Sequence, residues 1–301
     1  MSGGNRGLVI FSLFALYIIW GSTYLGIRIA IESLPPLLFA GGRFVLAGAI
    51  LYGFLRLRGA PAPTAAEWRG AAVVGVLLLL SGNGLVVLAE QTVASGIAAV
   101  AVGTTPIWAA LFGGLFGRWP GRIEWAGLAV GIVGVVLLNL GGELRASPLG
   151  ALALILAPLS WAFGSAWSRK LALPKGLMAS AAEMLAGGAA LLLVGLVAGE
   201  RFNEAPTVRS LLATAYLVVF GSLVAFSAYV YLLEHVRPAL ATSYAYVNPI
   251  VALGLGALLA GERFGSTSIV ATVIILAAVV LVAVGKAAPA RAPAAARTAS
   301  D

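Results

Sequence analysis

The chain contains no cysteine, one histidine and one aspartate, and only 10% of its 301 residues carry charge. Without cysteine there is no disulfide framework, no zinc–thiolate site and no thiol nucleophile. His235, flanked by Glu234 and Arg237, has no second histidine to work with, and Asp301 is the last residue. A hydrolytic relay, which needs a nucleophile beside a base, lacks its parts. The clustered acids that hold Mg²⁺ are missing too, as is the GxxxxGK[ST] loop of an ATP-driven pump. Catalysis, a metal and a cofactor are therefore not expected. Soluble domains carry roughly 25% charged residues; at 10%, this chain cannot cover a soluble surface of its size. A soluble enzyme, a disordered protein and a nucleic-acid module are excluded on that ground.

What is present is apolar: 61% of residues. A bilayer core about 30 Å thick is crossed by roughly 20 apolar residues in a helix. Ten such runs are predicted, at about 8–28, 37–55, 70–89, 94–116, 124–140, 149–168, 176–198, 211–233, 239–260 and 267–285. Turn-forming breaks separate them, among them Glu32-Ser33-Leu34-Pro35-Pro36 and Leu173-Pro174-Lys175. The runs are too long for barrel strands and do not alternate apolar with polar. The fold expected is all-α, a polytopic membrane protein with ten transmembrane helices. No small-residue cleavage site clearly follows the first run, so it is read as a true span.

Lysine and arginine sort by side. Thirteen fall in loops on the amino-terminal side of the membrane, five in the opposite loops, and Arg43 lies inside a span. Basic loops stay in the cytoplasm, so both termini are expected there. The net charge of +8 is read the same way, and no nucleic-acid partner is expected. Residues 287–301, made of Ala, Pro, Arg and small polar residues, are expected to be a disordered cytoplasmic tail.

The chain also repeats itself. Gly96-Ile97-Ala98-Ala99-Val100 aligns with Ala239-Leu240-Ala241-Thr242-Ser243 at an offset of 143 residues, and Pro106-Ile107 then falls on Pro249-Ile250 without a gap. Trp20 lies over Trp161 at an offset of 141. Each copy holds five predicted spans, residues 1–147 and 148–286. Five is odd, so the second copy must enter the membrane from the opposite side, the inverted arrangement of many secondary transporters.

Trp20-Gly21-Ser22-Thr23, Arg43-Phe44, Pro106, and Pro249 followed by Gly261-Glu262-Arg263-Phe264 resemble the EamA branch of the drug/metabolite transporter superfamily. The first copy reads Gly117-Arg118-Trp119-Pro120, without the glutamate of the second. The resemblance looks closest to bacterial inner-membrane exporters of amino acids and related metabolites. It implies ten helices in inverted five-helix repeats around a central cavity, in the bacterial inner membrane.

Polar groups within spans are costly and face the bundle interior or a wet cavity. They nominate Tyr17, Trp20 and Tyr24 in the first span, Asn83 in the third and Trp108 in the fourth. Trp161 and Ser165 follow in the sixth, Ser222 and Tyr229 in the eighth, and Tyr246 and Asn248 in the ninth. Interfacial anchoring accounts for Trp68, Trp119 and Trp125. It accounts poorly for mid-span Trp20 and Trp161, for which cavity lining and helix packing both stay open. Pro106 and Pro249 free the carbonyls of Val102 and Ala245, as hinges or as static kinks. Two charges lie deep. Arg43 and Glu183 are read as facing the cavity, either to bind the two ends of a zwitterion or to lock a conformation. The resemblance favours a structural or gating role for Arg43. Glu183 is read as the only acid able to carry a proton well inside the membrane. The repeated glycines Gly113, Gly117, Gly127 and Gly131 are read as contacts within one bundle, hence a functional monomer.

The function expected is export of small amphipathic metabolites, neutral or aromatic amino acids foremost, by alternating access or facilitated diffusion. Partners are the small-molecule substrate and the lipid bilayer. The rivals are a lipid scramblase or scaffold and, within transport, cationic drugs exchanged for protons.

Overall fold

The computed structural model describes residues 6–115, 119–140, 147–236, 241 and 243–284. Among them every regular element is helical. Seven helices are long and apolar enough to cross a membrane: α1 Arg6–Ala30, α2 Pro36–Leu57, α3 Ala65–Ala89, α4 Ser95–Leu115, α6 Pro148–Ser168, α7 Leu177–Val197 and α8 Val208–His235. Three more complete the described chain: α5 Arg122–Leu140, α9 Tyr244–Leu259 and α10 Ser266–Val284. All follow the predicted apolar runs to within a few residues. The tail 287–301 lies outside the described residues.

Local chemistry sets several helix starts. Pro36 and Pro148 open α2 and α6, where a missing N–H costs nothing. Thr64 and Glu67 form a reciprocal capping box on α3. Four helices are irregular in mid-course. The backbone widens to a π-helix at Ala15–Trp20 in α1, Val76–Gly84 in α3 and Leu217–Phe226 in α8. In α4 a turn at Gly103-Thr104 breaks the helix just ahead of Pro106.

The packing is reciprocal between the two sequence copies. α2 lies against α7 and α5 against α10, each helix against its own counterpart. Helix α1 packs on α8 and α9, while α6, its counterpart, packs on α3 and α4. Glycines bring the α2 and α7 backbones together. A Cβ on Gly41 would sit 2.7 Å from the Leu192 nitrogen, and one on Gly188 2.8 Å from the Val45 nitrogen. On α5, Gly131 packs against Ile107 and Ala278 of the same chain.

One end of the bundle is stapled across the copies. The Glu200 carboxylate accepts from the first free amides of α2, Leu37 at 3.0 Å and Leu38 at 2.9 Å. The Glu262 carboxylate caps α4 in the same way, accepting from the Ser95 amide at 2.8 Å, its hydroxyl at 2.7 Å and the Gly96 amide at 3.1 Å. Such charge-assisted bonds also complement the positive helix N-terminus. Ser210 Oγ donates to the Ile29 carbonyl at 2.9 Å, and Arg209 pairs with Glu32 at 3.6 Å. The loops after α1, α3, α7 and α9 therefore meet at this end.

Candidate functional site

The three π-helical segments converge on a cavity in the middle of the bundle. The space among its lining atoms, open solvent at the mouth counted in, is about 630 Å³. Trp20 from α1, Leu79, Gly82 and Asn83 from α3, and Gly221 and Phe226 from α8 all line it. A π-helix winds more residues per turn than an α-helix, so it turns side chains off the regular face and leaves backbone groups open, a common feature of functional sites.

Trp20 is the centre of an aromatic wall. Trp161 meets it edge to face with ring centroids 5.5 Å apart, Tyr244 does so at 5.1 Å, and Tyr229 lies tilted at 5.1 Å. Each pair contributes about 0.5–1.5 kcal/mol beyond burial. Hydrogen bonds fix the rings. Trp20 Nε1 donates to the Gly221 carbonyl at 3.3 Å, Trp161 Nε1 donates to Tyr229 Oη at 3.1 Å, and Tyr229 Oη and Ser165 Oγ are 2.8 Å apart. Tyr229 and Ser165 thus stand behind the lining and hold Trp161 in place.

The polar part of the site is sparse. Arg43 is 3% exposed and lines the cavity. Its Nε donates to Ser222 Oγ at 2.9 Å and its guanidinium lies 4.5 Å over the Phe44 ring. Arg43 Nη1 has no partner, and neither has Oδ1 of Asn83, another lining residue. Glu90, fully buried, leaves both carboxylate oxygens unpartnered, while its backbone carbonyl accepts from Arg28. No ion pair joins Arg43 to Glu90 among the described residues.

The other sequence candidates divide. Tyr24 lines the cavity with Trp20, Asn83, Trp161 and Arg43, whereas Glu183, 3% exposed on α7, is not part of the lining. Tyr17 bonds to Ser243 at 2.7 Å. With its amide nitrogen turned toward them, Asn248 lies 3.0 Å from the Leu16 carbonyl and 3.2 Å from those of Tyr17 and Tyr244, acceptors that its two N–H groups can share, tying α9 to the π-helical stretch of α1. Trp108 keeps its Nε1 buried and unpartnered outside the lining. The Val102 carbonyl, freed by Pro106, accepts from Thr105 Oγ1 at 2.6 Å. A Cβ on Gly103 would lie 3.1 Å from the Pro249 ring and 3.4 Å from the Ala245 carbonyl, so that kink is packed against α4. The side chain of Tyr246 lies outside the described residues. The ring that α9 does supply is Tyr244, which the sequence reading passed over, although its spacing of four from Asn248 places both on one helical face. Phe226, on one helical face with Ser222 and Tyr229, lines the cavity as well, and Thr23 and Gly221 line it unforeseen.

Comparison with known proteins places this architecture. The EamA-like transporter family matches the chain twice, over residues 7–140 and 148–284. The inner membrane transporter YedA of Escherichia coli (strain K12) is 48% identical over 276 residues, 91% of this chain and 90% of its own. The S-adenosylmethionine/S-adenosylhomocysteine transporter of Chlamydia trachomatis is 28% identical over 279 residues, 85% of this chain and 83% of its own. A solved crystal structure with 20% identity superposes with a TM-score of 0.69 over 93% of this chain and 98% of that one, a likeness of fold. The chain belongs to the EamA-like transporter family and is a multi-pass membrane transporter of the drug/metabolite transporter superfamily.

Proposed function

We propose that this protein moves small amphipathic metabolites, neutral or aromatic amino acids foremost, out of the cell through the central cavity. In this reading ten helices span the bacterial inner membrane as two inverted repeats, residues 1–147 and 148–286, with both termini in the cytoplasm and one chain as the working unit. Reciprocal packing supports the two-fold relation. So does the stapled end, where loops following the first and third helices of one copy meet loops following the second and fourth of the other. Two copies related in that way can pack open to either side, which is the basis of alternating access.

The observation that carries the reading is the cavity itself: an aromatic wall around Trp20 with Arg43 as the one lining cation among the described residues. That lining suits a molecule with an apolar body and a small charged head. S-adenosylmethionine, named for the chlamydial relative, has the same general build, an α-amino acid joined to an aromatic base. The test is counterflow in proteoliposomes holding purified protein and a panel of amino acids, with and without a pH gradient. Exchange of neutral or aromatic amino acids is expected, at a rate indifferent to the gradient. Exchange of quaternary amines alone, driven by protons and lost in Glu183→Gln, would replace it with cation–proton antiport. Passage of labelled lipid without any solute would replace it with a scramblase.

A further inference from the structure

Both sequence copies end their second helix with the same turn. Gly59 after α2 and Gly199 after α7 stand 140 residues apart, with φ of +81° and +79°. The next amide closes each turn, Ala60 on the Leu55 carbonyl at 3.0 Å and Glu200 on the Gly195 carbonyl at 3.0 Å. Ala60 and Glu200 therefore hold equivalent positions, but only Glu200 has a carboxylate, and it reaches across to the first amides of α2. Ala60 has nothing to offer the start of α7, which opens on Gly176, another residue without a side chain. The fourth helices repeat the contrast. Glu262 caps α4, and the first copy has Arg118 where the second has Glu262. Both carboxylates thus act at one end of the bundle, where Glu90 and Ser95 are 0% and Val93 is 1% exposed.

We propose that Glu200 and Glu262 form a one-sided latch that holds the empty protein shut at this end, so that the cavity fills first from the opposite end. The cavity is walled by both copies, so opening it to the latched end parts elements of one copy from elements of the other. Two bonds at Glu200 and three at Glu262 resist that step. Opening to the other end meets no carboxylate at Ala60 or Arg118. Contacts made in only one of two states set the balance between them. The proposal rests on the inverted-repeat reading above and adds to it a preferred resting state.

The chain has no cysteine, so a single introduced thiol reports alone. Val86→Cys places one in the cavity lining, close to the latched end of α3. Gln91→Cys and Arg58→Cys mark exposed positions at the latched and opposite ends. Each full-length variant is treated, without substrate, with a membrane-impermeant maleimide in intact spheroplasts and in inverted vesicles. The thiol of Val86→Cys is expected to react at least about tenfold faster from the face that labels Arg58→Cys than from the face that labels Gln91→Cys, the factor that one hydrogen bond to a charged group supplies. Adding Glu200→Ala and Glu262→Ala should cut that ratio at least about tenfold. Glu200→Gln with Glu262→Gln, which keeps an acceptor and loses the charge, should fall between. Equal rates from both faces in the protein with both glutamates, or the reverse order, overturn the proposal, whether or not any latch variant folds. An unchanged ratio in a folded double alanine variant overturns it too. Labelling of Gln91→Cys and Arg58→Cys from the same face would instead sink the inverted-repeat reading.

Discussion

Trp20 and Trp161 hold matching positions in the two sequence copies, and their rings meet edge to face with centroids 5.5 Å apart. The duplication thus closes on itself at the cavity wall. Each copy contributes one indole, and Tyr229 and Tyr244 complete the cluster around Trp20.

Trp20→Ala removes three ring pairs of about 0.5–1.5 kcal/mol each and opens a void. A loss of about 3–5 kcal/mol in stability is expected for such a truncation, together with at least a tenfold drop in counterflow. Trp20→Phe, which keeps a ring but not the bond to the Gly221 carbonyl, should recover most of the stability. Thermal unfolding in detergent and counterflow on the same preparations check both. Counterflow by Trp20→Ala at the unmodified rate would remove the wall from the site.

The helix bounds and the meeting of Trp20 with Trp161 were legible because hydropathy and repetition are local signals. The cavity's finer lining was not. A 3.6-residue period put Tyr17, Trp20, Tyr24 and Arg28 on one stripe. The π-helix at Ala15–Trp20 shifts that register, so Trp20 and Tyr24 line the cavity while Tyr17 turns to Ser243. The same widening in α3 and α8 brings in Gly82 and Gly221, which no periodicity marks. Glu90, expected at the end of its span, is fully buried, so Glu183 is not alone among acids inside the bundle. Glu262, which has no counterpart in the first copy, works across the molecule, at the start of α4. Such long-range partners leave no trace in a single sequence.

The two staples predict a paired result. Glu200→Ala and Glu262→Ala each leave backbone amides at a helix start without acceptors, a cost of about 1–3 kcal/mol. Both should lower the unfolding temperature, and the double variant should lose about the sum, because the sites share no partner. Glu262→Ala should also raise hydrogen exchange at Ser95 and Gly96 while leaving Leu37 and Leu38 protected. Loss of protection at both sites together would mean that the end opens as one unit.

Neighbouring glycines on α2 give a sharper contrast. A Cβ at Gly41 meets the Leu192 nitrogen and the Gly188 carbonyl at 2.7 and 2.9 Å, while one at Gly42 meets nothing within 4 Å. Backbone cannot move aside as a side-chain tip can. Gly41→Ala is therefore expected to push α2 from α7 and cost about 1–3 kcal/mol. Gly42→Ala should stabilise slightly, by up to about 1 kcal/mol, as alanine favours the helix. Unfolding midpoints of the two variants check the pair, and equal midpoints would place the α2–α7 crossing elsewhere.

Asn248 gives the last prediction. It is 3% exposed, beside Pro249, and with its amide nitrogen turned inward its two N–H groups face three carbonyls, two of them in the π-helical stretch of α1. That stretch positions Trp20, so the amide links the kinked α9 to the cavity wall. Asn248→Leu keeps the volume and removes the donor, at about 1–3 kcal/mol for the carbonyls left unmet. Asn248→Asp has nearly the same shape but would set an acceptor against three acceptors, a larger penalty in a buried site. The unfolding temperature should fall from Asn to Leu to Asp, with phenylalanine affinity falling in the same order because Trp20 loses its support. An aspartate variant as stable as the unmodified protein would show that the side chain accepts there rather than donates, and the link from α9 to Trp20 would have to run through packing at Gly21 and Val251, where a Cβ would come within 2.7 Å.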